Sequence, residues 1–116
     1  MLMNQVLLEP STSPVTLESS AEAIACTFKA LADPARLKIL HHLVSQEAGC
    51  CLPGEDVCAC DLEAVTQLSQ PTVSHHMKCL ISAKLVIGEK RGKWMYYRIE
   101  AQGFTQIKEV LAKISG

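Results

Sequence analysis

The sequence has no excess of positive charge, with 11 Lys and Arg against 12 Asp and Glu in 116 residues and a formal net charge of −1. Sequence-independent attraction to nucleic acid rests on Lys and Arg, so any cationic surface has to be local. There is no apolar run of the roughly 18 residues that a membrane span needs. The N-terminus also lacks a basic segment leading into an apolar core, the mark of a secretory leader. A cytoplasmic protein is the expectation. Paired C-x2-C knuckles, C-x-x-C redox motifs and phosphate-cradling glycine loops are missing too.

What is present is a concentration of thiols. Four of the six cysteines, Cys50, Cys51, Cys58 and Cys60, fall within residues 50–60. In a reducing compartment such clusters bind metals or sense redox state more often than they form structural disulfides. Pro53-Gly54 is a turn signal that can fold Cys50 and Cys51 back toward Cys58 and Cys60. One residue separates Cys58 from Cys60. In extended backbone both sulfurs then face one side, whereas on a regular helix they would diverge by about 200°. The pair is therefore expected just before a helix, or at its frayed start. Three thiolates without imidazole suit As(III) or Sb(III), and four would also suit Cd(II), Pb(II) or Zn(II). The isolated Cys26 and Cys79 are expected to be small buried residues.

Around this stretch the pattern is mainly helical. Residues 1–17, with Pro10 and Pro14 among Ser and Thr, are expected to be a loose arm, and residues 18–116 a single domain. From an N-cap at Ser19 or Ser20, Ala21, Ile24, Ala25, Phe28 and Leu31 recur at helical spacing. Asp33-Pro34 supplies an N-cap and a first-turn proline for a second helix, whose buried face is expected to be Leu37, Leu40, Leu43 and Val44. Asp61 is the expected N-cap of a short third helix carrying Leu62, Val65 and Leu68.

After Ser69 and Gln70, Pro71 opens a helix to about Lys84 that turns Val73, Met77 and Leu80 inward and Ser74, His75, Lys78 and Ser82 outward. A short helix, a tight turn and a helix with a polar outer face make a helix-turn-helix pattern. Residues 85–90 and 93–99 read as a hairpin around Arg91-Gly92. Between Lys84 and Arg98 stand five Lys or Arg and one Glu, which is the local cationic patch. Phe104, Ile107, Leu111 and Ile114 mark a last amphipathic helix.

Hydroxyls, amide, imidazoles and cation at Ser69, Gln70, Thr72, Ser74, His75, His76 and Lys78 suit base edges and phosphates in a major groove of double-stranded DNA. Lys90, Arg91 and Lys93 would contact the phosphate backbone. His75 is expected in the groove, His76 on a partly buried flank, and Trp94, Tyr96 and Tyr97 in packing roles.

The segments FKALADPARLKIL, VCACDL, LSQPTVSHHMKCL and GEKRGKWMYYRI together resemble the ArsR/SmtB family of metalloregulatory repressors, over about residues 20–114. The resemblance implies a winged helix-turn-helix, an α+β fold of five helices and a two-stranded wing. It also implies a homodimer paired through its first and last helices, bound to a two-fold operator and released by a metal or metalloid. VCACDL looks like the arsenical-responsive E-L-C-V-C-D-L-C pattern, which places Cys58 and Cys60 on its first two thiols and Glu63 on its third. Cys51 or Cys50 is the expected replacement. The zinc ligands of the family's last helix have no counterpart, since residues 103–116 contain no His or Asp. The expected function is an As(III)- or Sb(III)-responsive repressor rather than an enzyme. Cd(II), Pb(II), Zn(II) or thiol redox are the alternative triggers.

Overall fold

The structure, a computed structural model, describes residues 17–45 and 56–116, with side chains from residue 21 onward. The chain runs α1 (Leu17–Leu31), α2 (Pro34–Ser45), β1 (Val57–Cys58), α3 (Ala59–Thr66), α4 (Gln70–Ser82), β2 (Val86–Arg91), β3 (Trp94–Ile99) and α5 (Ala101–Ser115). Among the described residues the helices therefore number five, as expected, but the sheet has three strands in the order β1-β3-β2. The additional strand is the two-residue β1, antiparallel to β3 with Val57 opposite Tyr97 and Cys58 opposite Tyr96. α3, α4 and the β2–β3 hairpin form a winged helix-turn-helix.

Ile39, Leu62, Met77, Leu80, Leu85 and Val86 are the largest fully enclosed side chains, so α2, α3, α4 and the start of β2 share one core. Met77 and Leu80, with Val73, are the inward face expected of α4. α1 and α2 depart from the pattern. α1 begins at Leu17, so Ser19 and Ser20 lie inside it rather than capping it. It buries Thr27 and Ala30 and leaves Phe28 38% exposed. Thr27 tolerates burial because its hydroxyl donates to the Ala23 carbonyl at 3.1 Å. On α2 the buried face is Ile39, Leu40, His42 and Leu43, while Leu37 and Val44 face outward, Val44 69% exposed.

The Asp33-Pro34 start of α2 behaves as the sequence implies. Asp33 Oδ1 accepts from the backbone N–H of Ala35 at 2.8 Å and of Arg36 at 3.2 Å, satisfying donors that a helix start leaves without partners. The Arg36 amide, helped by that of Ala35, holds the Asp33 carboxyl below its ordinary value. A carboxyl depressed in the fold adds stability above its unfolded pKa of about 3.9 and loses it as pH falls through the folded value. Asp33→Asn, which keeps the acceptor, should therefore lose less melting temperature than the wild type below about pH 4. Thermal melts down the acid range check this, and parallel curves would contradict it.

Two turns fix the placement of α4 and the wing. Gln67 adopts a left-handed φ of 59° and its N–H closes α3 on the Glu63 carbonyl at 2.7 Å, which makes the α3–α4 turn tight. At the wing tip the turn is Gly92-Lys93, one residue later than Arg91-Gly92, because Arg91 pairs with Trp94 as the last rung of the ladder. Gly92 supplies the positive φ of 63° that this two-residue loop requires at its first position. Behind the wing, α5 is clamped by Gly103, whose N–H donates to the Lys84 carbonyl at 2.8 Å.

Candidate thiol site and nucleic-acid interface

Cys58 closes β1 in extended conformation (φ −73°, ψ 146°) and serves as N-cap of α3, and Cys60 is the second residue of that helix. This strand-to-helix corner lets a C-x-C pair converge. The two Sγ atoms lie 3.0 Å apart, with Cys58 4% exposed and Cys60 half-buried. Cys50 and Cys51 lie outside the described residues. Among the described residues no cluster of three or more His, Cys, Asp or Glu is arranged to hold a metal ion.

Asp61 is not the cap of α3. It lies in the first turn, buried, with Oδ2 2.5 Å from Nε2 of the equally buried His42. A buried carboxylate without a partner is costly, so this contact to α2 overrides the local preference of Asp for a cap. It ties the helix that carries Cys60 to the core.

Cys60 and Glu63 open onto a cleft of about 360 Å³ between α3, the start of α4 and the wing. Val73, Trp94, Met95 and Tyr97 give it an apolar wall, and Gln70, Ser74 and Lys93 stand around it. Tyr97 packs as expected, but Trp94 is 48% exposed and faces this cleft. Burial, together with the neighbouring Cys58, pushes the Tyr97 phenol up.

The outer side of α4 carries the polar groups expected of it. Ser69 takes the N-cap backbone conformation, and its hydroxyl lies 3.0 Å from that of Thr72. Gln70, Thr72, His75 and Lys78 are exposed and Ser74 half-buried. His76 sits on the flank, its Nδ1 3.0 Å from Nη1 of Arg36. The same guanidinium donates through Nε to the Ala30 carbonyl at 2.7 Å, so Arg36 joins the end of α1 to α4. Nothing in the local pattern distinguishes Arg36 from a solvated cation. Cys26 is exposed and Cys79 half-buried rather than buried, the latter with Sγ 3.9 Å from His75 Nε2.

On the wing, Lys90 and Lys93 are exposed. Arg91 has other partners: Nη2 lies 2.5 Å from Asp56 Oδ2 and 3.0 Å from Glu89 Oε1, and the guanidinium rests over Tyr96 at 4.8 Å. Arg98 completes the network, 3.0 Å from the same Asp56 oxygen. Hydrogen bonding from Arg91 holds the Glu89 carboxyl below its ordinary range. Asp56 is the residue that sequence reasoning passed over. It stands immediately before β1 and neutralises wing cations far along the chain. Asp56→Ala should raise DNA affinity a few-fold at low salt and steepen the salt dependence by about one unit, the signature of one more cation available to phosphate. Anisotropy over a salt series measures both, and weaker binding would make Asp56 a support of the wing.

Residues 33–87 match the family described as bacterial regulatory protein, arsR family. An arsenical resistance operon repressor of Staphylococcus xylosus is 37% identical over 92 residues, covering 79% of this chain and 80% of that protein. One from Bacillus subtilis is 40% identical over 70 residues, or 60% of this chain, and the match spans only 59% of that repressor's length. Among solved structures, the homodimeric winged helix-turn-helix DNA-binding domain of a possible ArsR-family regulator from Mycobacterium bovis superposes with a TM-score of 0.62. It is 22% identical and the match covers 90% of this chain and 89% of that one, a likeness of fold alone. No helix among the described residues is long and apolar enough to cross a membrane. With four-fifths of the Staphylococcus xylosus repressor covered at 37% identity, the chain belongs to the ArsR family.

Proposed function

We propose that this chain is a metalloid-responsive transcriptional repressor that binds operator DNA as a homodimer and is released when As(III) or Sb(III) binds its thiols. One observation carries the reading: the two sulfurs 3.0 Å apart sit where β1 meets α3, and β1 is laddered to wing strand β3. A change at the thiols therefore reaches both the helix-turn-helix and the wing through short, bonded paths. The donor set fits a thiophilic ion, since soft sulfur ligands are what such ions prefer. Cys58 and Cys60 would hold it, with Cys51 or Cys50 as the third ligand, and the bound ion would supply a covalent bridge between these sulfurs.

For DNA, Ser69, Gln70, Thr72, Ser74, His75 and Lys78 would enter the major groove, with His76 on the flank, and Lys90 and Lys93 would meet the backbone. Arg91 would join them only on leaving Asp56. The dimer reading is supported by the apolar side chains that α1 and α5 leave uncovered, Phe28 on one and Leu111 and Ile114 on the other, Ile114 77% exposed. The names of the Staphylococcus xylosus and Bacillus subtilis relatives support the arsenical trigger.

The experiment is a titration of the reduced protein on labelled operator DNA with As(III), Sb(III), Cd(II), Pb(II) and Zn(II), followed by anisotropy. Release by As(III) and Sb(III) ahead of the divalent ions supports the reading. Release by Cd(II) or Pb(II) alone would replace the trigger, and indifference to all five would remove it. The short sulfur separation also favours a second reading, a thiol-redox switch. Release by peroxide, reversed by dithiothreitol and without a metalloid response, would identify it.

A further inference from the structure

We infer that the open cleft between the end of α1 and the outer side of α4 holds a phosphodiester of the DNA backbone, gripped by Lys29 and Lys78 with Arg36 as a fixed charge beside them. The inference rests on the reading of α4 as the helix in the major groove, and it adds to that reading a contact from α1 and α2.

Charge comes first. The cleft, of about 340 Å³, is lined by Lys29, Arg36 and Lys78, one from each of three helices, and by no Asp or Glu. Three formal positive charges thus converge on one surface of a chain whose net charge is −1. Lys29 and Lys78 are exposed, and among the described residues neither pairs with a carboxylate. On the wing, by contrast, Asp56 and Glu89 already neutralise Arg91 and Arg98. Arg36 is held in place: Nε donates to the Ala30 carbonyl at 2.7 Å, Nη2 to the Lys29 carbonyl at 3.3 Å, and Nη1 lies 3.0 Å from His76 Nδ1. It fixes the end of α1 against α4 and adds charge. The two lysine ammonium groups, each with three donors on a flexible stem, can close on a phosphate oxygen.

Shape and position point to the DNA backbone. Between the cations the cleft is walled by short side chains, Cys26, Ala30 and Cys79, which let a sugar-phosphate chain approach closely. An α-helix about 10–12 Å across fills a major groove about 12 Å wide, so the two strands run along its flanks. One flank of α4 opens on the wing-side cleft through Gln70 and Ser74. The other opens on this cleft through His75, Lys78 and Ser82. With Lys90 and Lys93 on the wing side, Lys29 and Lys78 give each flank its own cations. Contacts of this kind fix register without reading sequence.

The test compares the full-length wild type with Lys29→Gln by anisotropy over a salt series, on a labelled operator duplex and on a scrambled duplex of equal length. Affinity should fall at least about threefold at low salt on both duplexes, and the plot of log K against log salt should flatten by about one unit per bound chain. Lys29→Arg should match the wild type, and Lys108→Gln, which removes an exposed charge on α5, should change neither quantity. Oligomeric state by sedimentation, melting temperature and the fold release by arsenite should be the same in all four proteins.

An unchanged slope in Lys29→Gln would overturn the inference, as would an equal change in Lys108→Gln. A loss of affinity that follows a shift in oligomeric state or melting temperature would also overturn it and make Lys29 a structural residue. A wild-type melt raised by inorganic phosphate over chloride at equal ionic strength, and not raised in Lys29→Gln, would assign the cleft to a free oxyanion if DNA binding were the same in both. Failure of the wild type to bind either duplex would remove the DNA reading itself, an outcome distinct from these.

Discussion

Cys58→Ser combined with Cys60→Ser is expected to leave operator affinity within about twofold of the wild type and to abolish release by arsenite. The first half follows from position. Cys58 is buried and Cys60 half-buried at the start of α3, neither is among the side chains expected to reach DNA, and serine is close to isosteric with cysteine. The second half follows from linkage. To weaken DNA binding a hundredfold, the ion has to prefer the DNA-free form by about 2.7 kcal/mol. With both thiols replaced that preference disappears, because the hydroxyls of serine are poor donors to a soft ion. Anisotropy with and without arsenite checks both halves. Loss of DNA binding without metalloid would mean that the pair holds the helix-turn-helix in place rather than sensing.

Gly103→Ala should cost at least about 3 kcal/mol, the upper part of the range for overpacking. A Cβ built there would stand 2.5 Å from the Ala83 carbonyl oxygen, 2.7 Å from that of Lys84 and 2.9 Å from Leu85 Cδ2. Two of the three obstacles are backbone and cannot rotate aside. They also belong to the turn between α4 and β2, where Lys84 already holds an unfavourable φ of 62° and its carbonyl accepts from Gly103. Because a domain of this size has only about 5–15 kcal/mol of stability in all, the melting temperature should fall by roughly 10–20 °C. Thr105→Ala, two residues on and exposed, should change stability by less than about 0.5 kcal/mol. Similar melts for the two variants would show that α5 moves off the turn at little cost.

The legible parts of the fold were those encoded locally. Asp33-Pro34 states a helix start in two residues, and Val73, Met77 and Leu80 lie on one side of α4 with polar residues opposite, so the period admits one solution. The convergence of Cys58 and Cys60 was legible for a similar reason, since a C-x-C pair can bring its sulfurs together only off a regular helix. What escaped was decided at a distance. In α2, apolar residues surround most of the helix, and the sequence alone does not say that Ile39 and His42 point inward while Leu37 and Val44 point out. Asp61 has the chemistry of a cap and was diverted by His42, 19 residues earlier. β1 is too short to show alternation, and Arg91 reads as a solvent cation until Asp56 is beside it.

The uncovered side chains Phe28, Leu111 and Ile114 have a consequence for abundance. If two chains close over them, the species that grips a two-fold operator forms in proportion to the square of chain concentration while monomers predominate. Scarce protein would then leave the operator open even without metalloid, and the arsenical dose that clears the DNA would rise with the number of copies present. The threshold of the response would be set partly by the amount of protein, and not by the chemistry of the thiols alone.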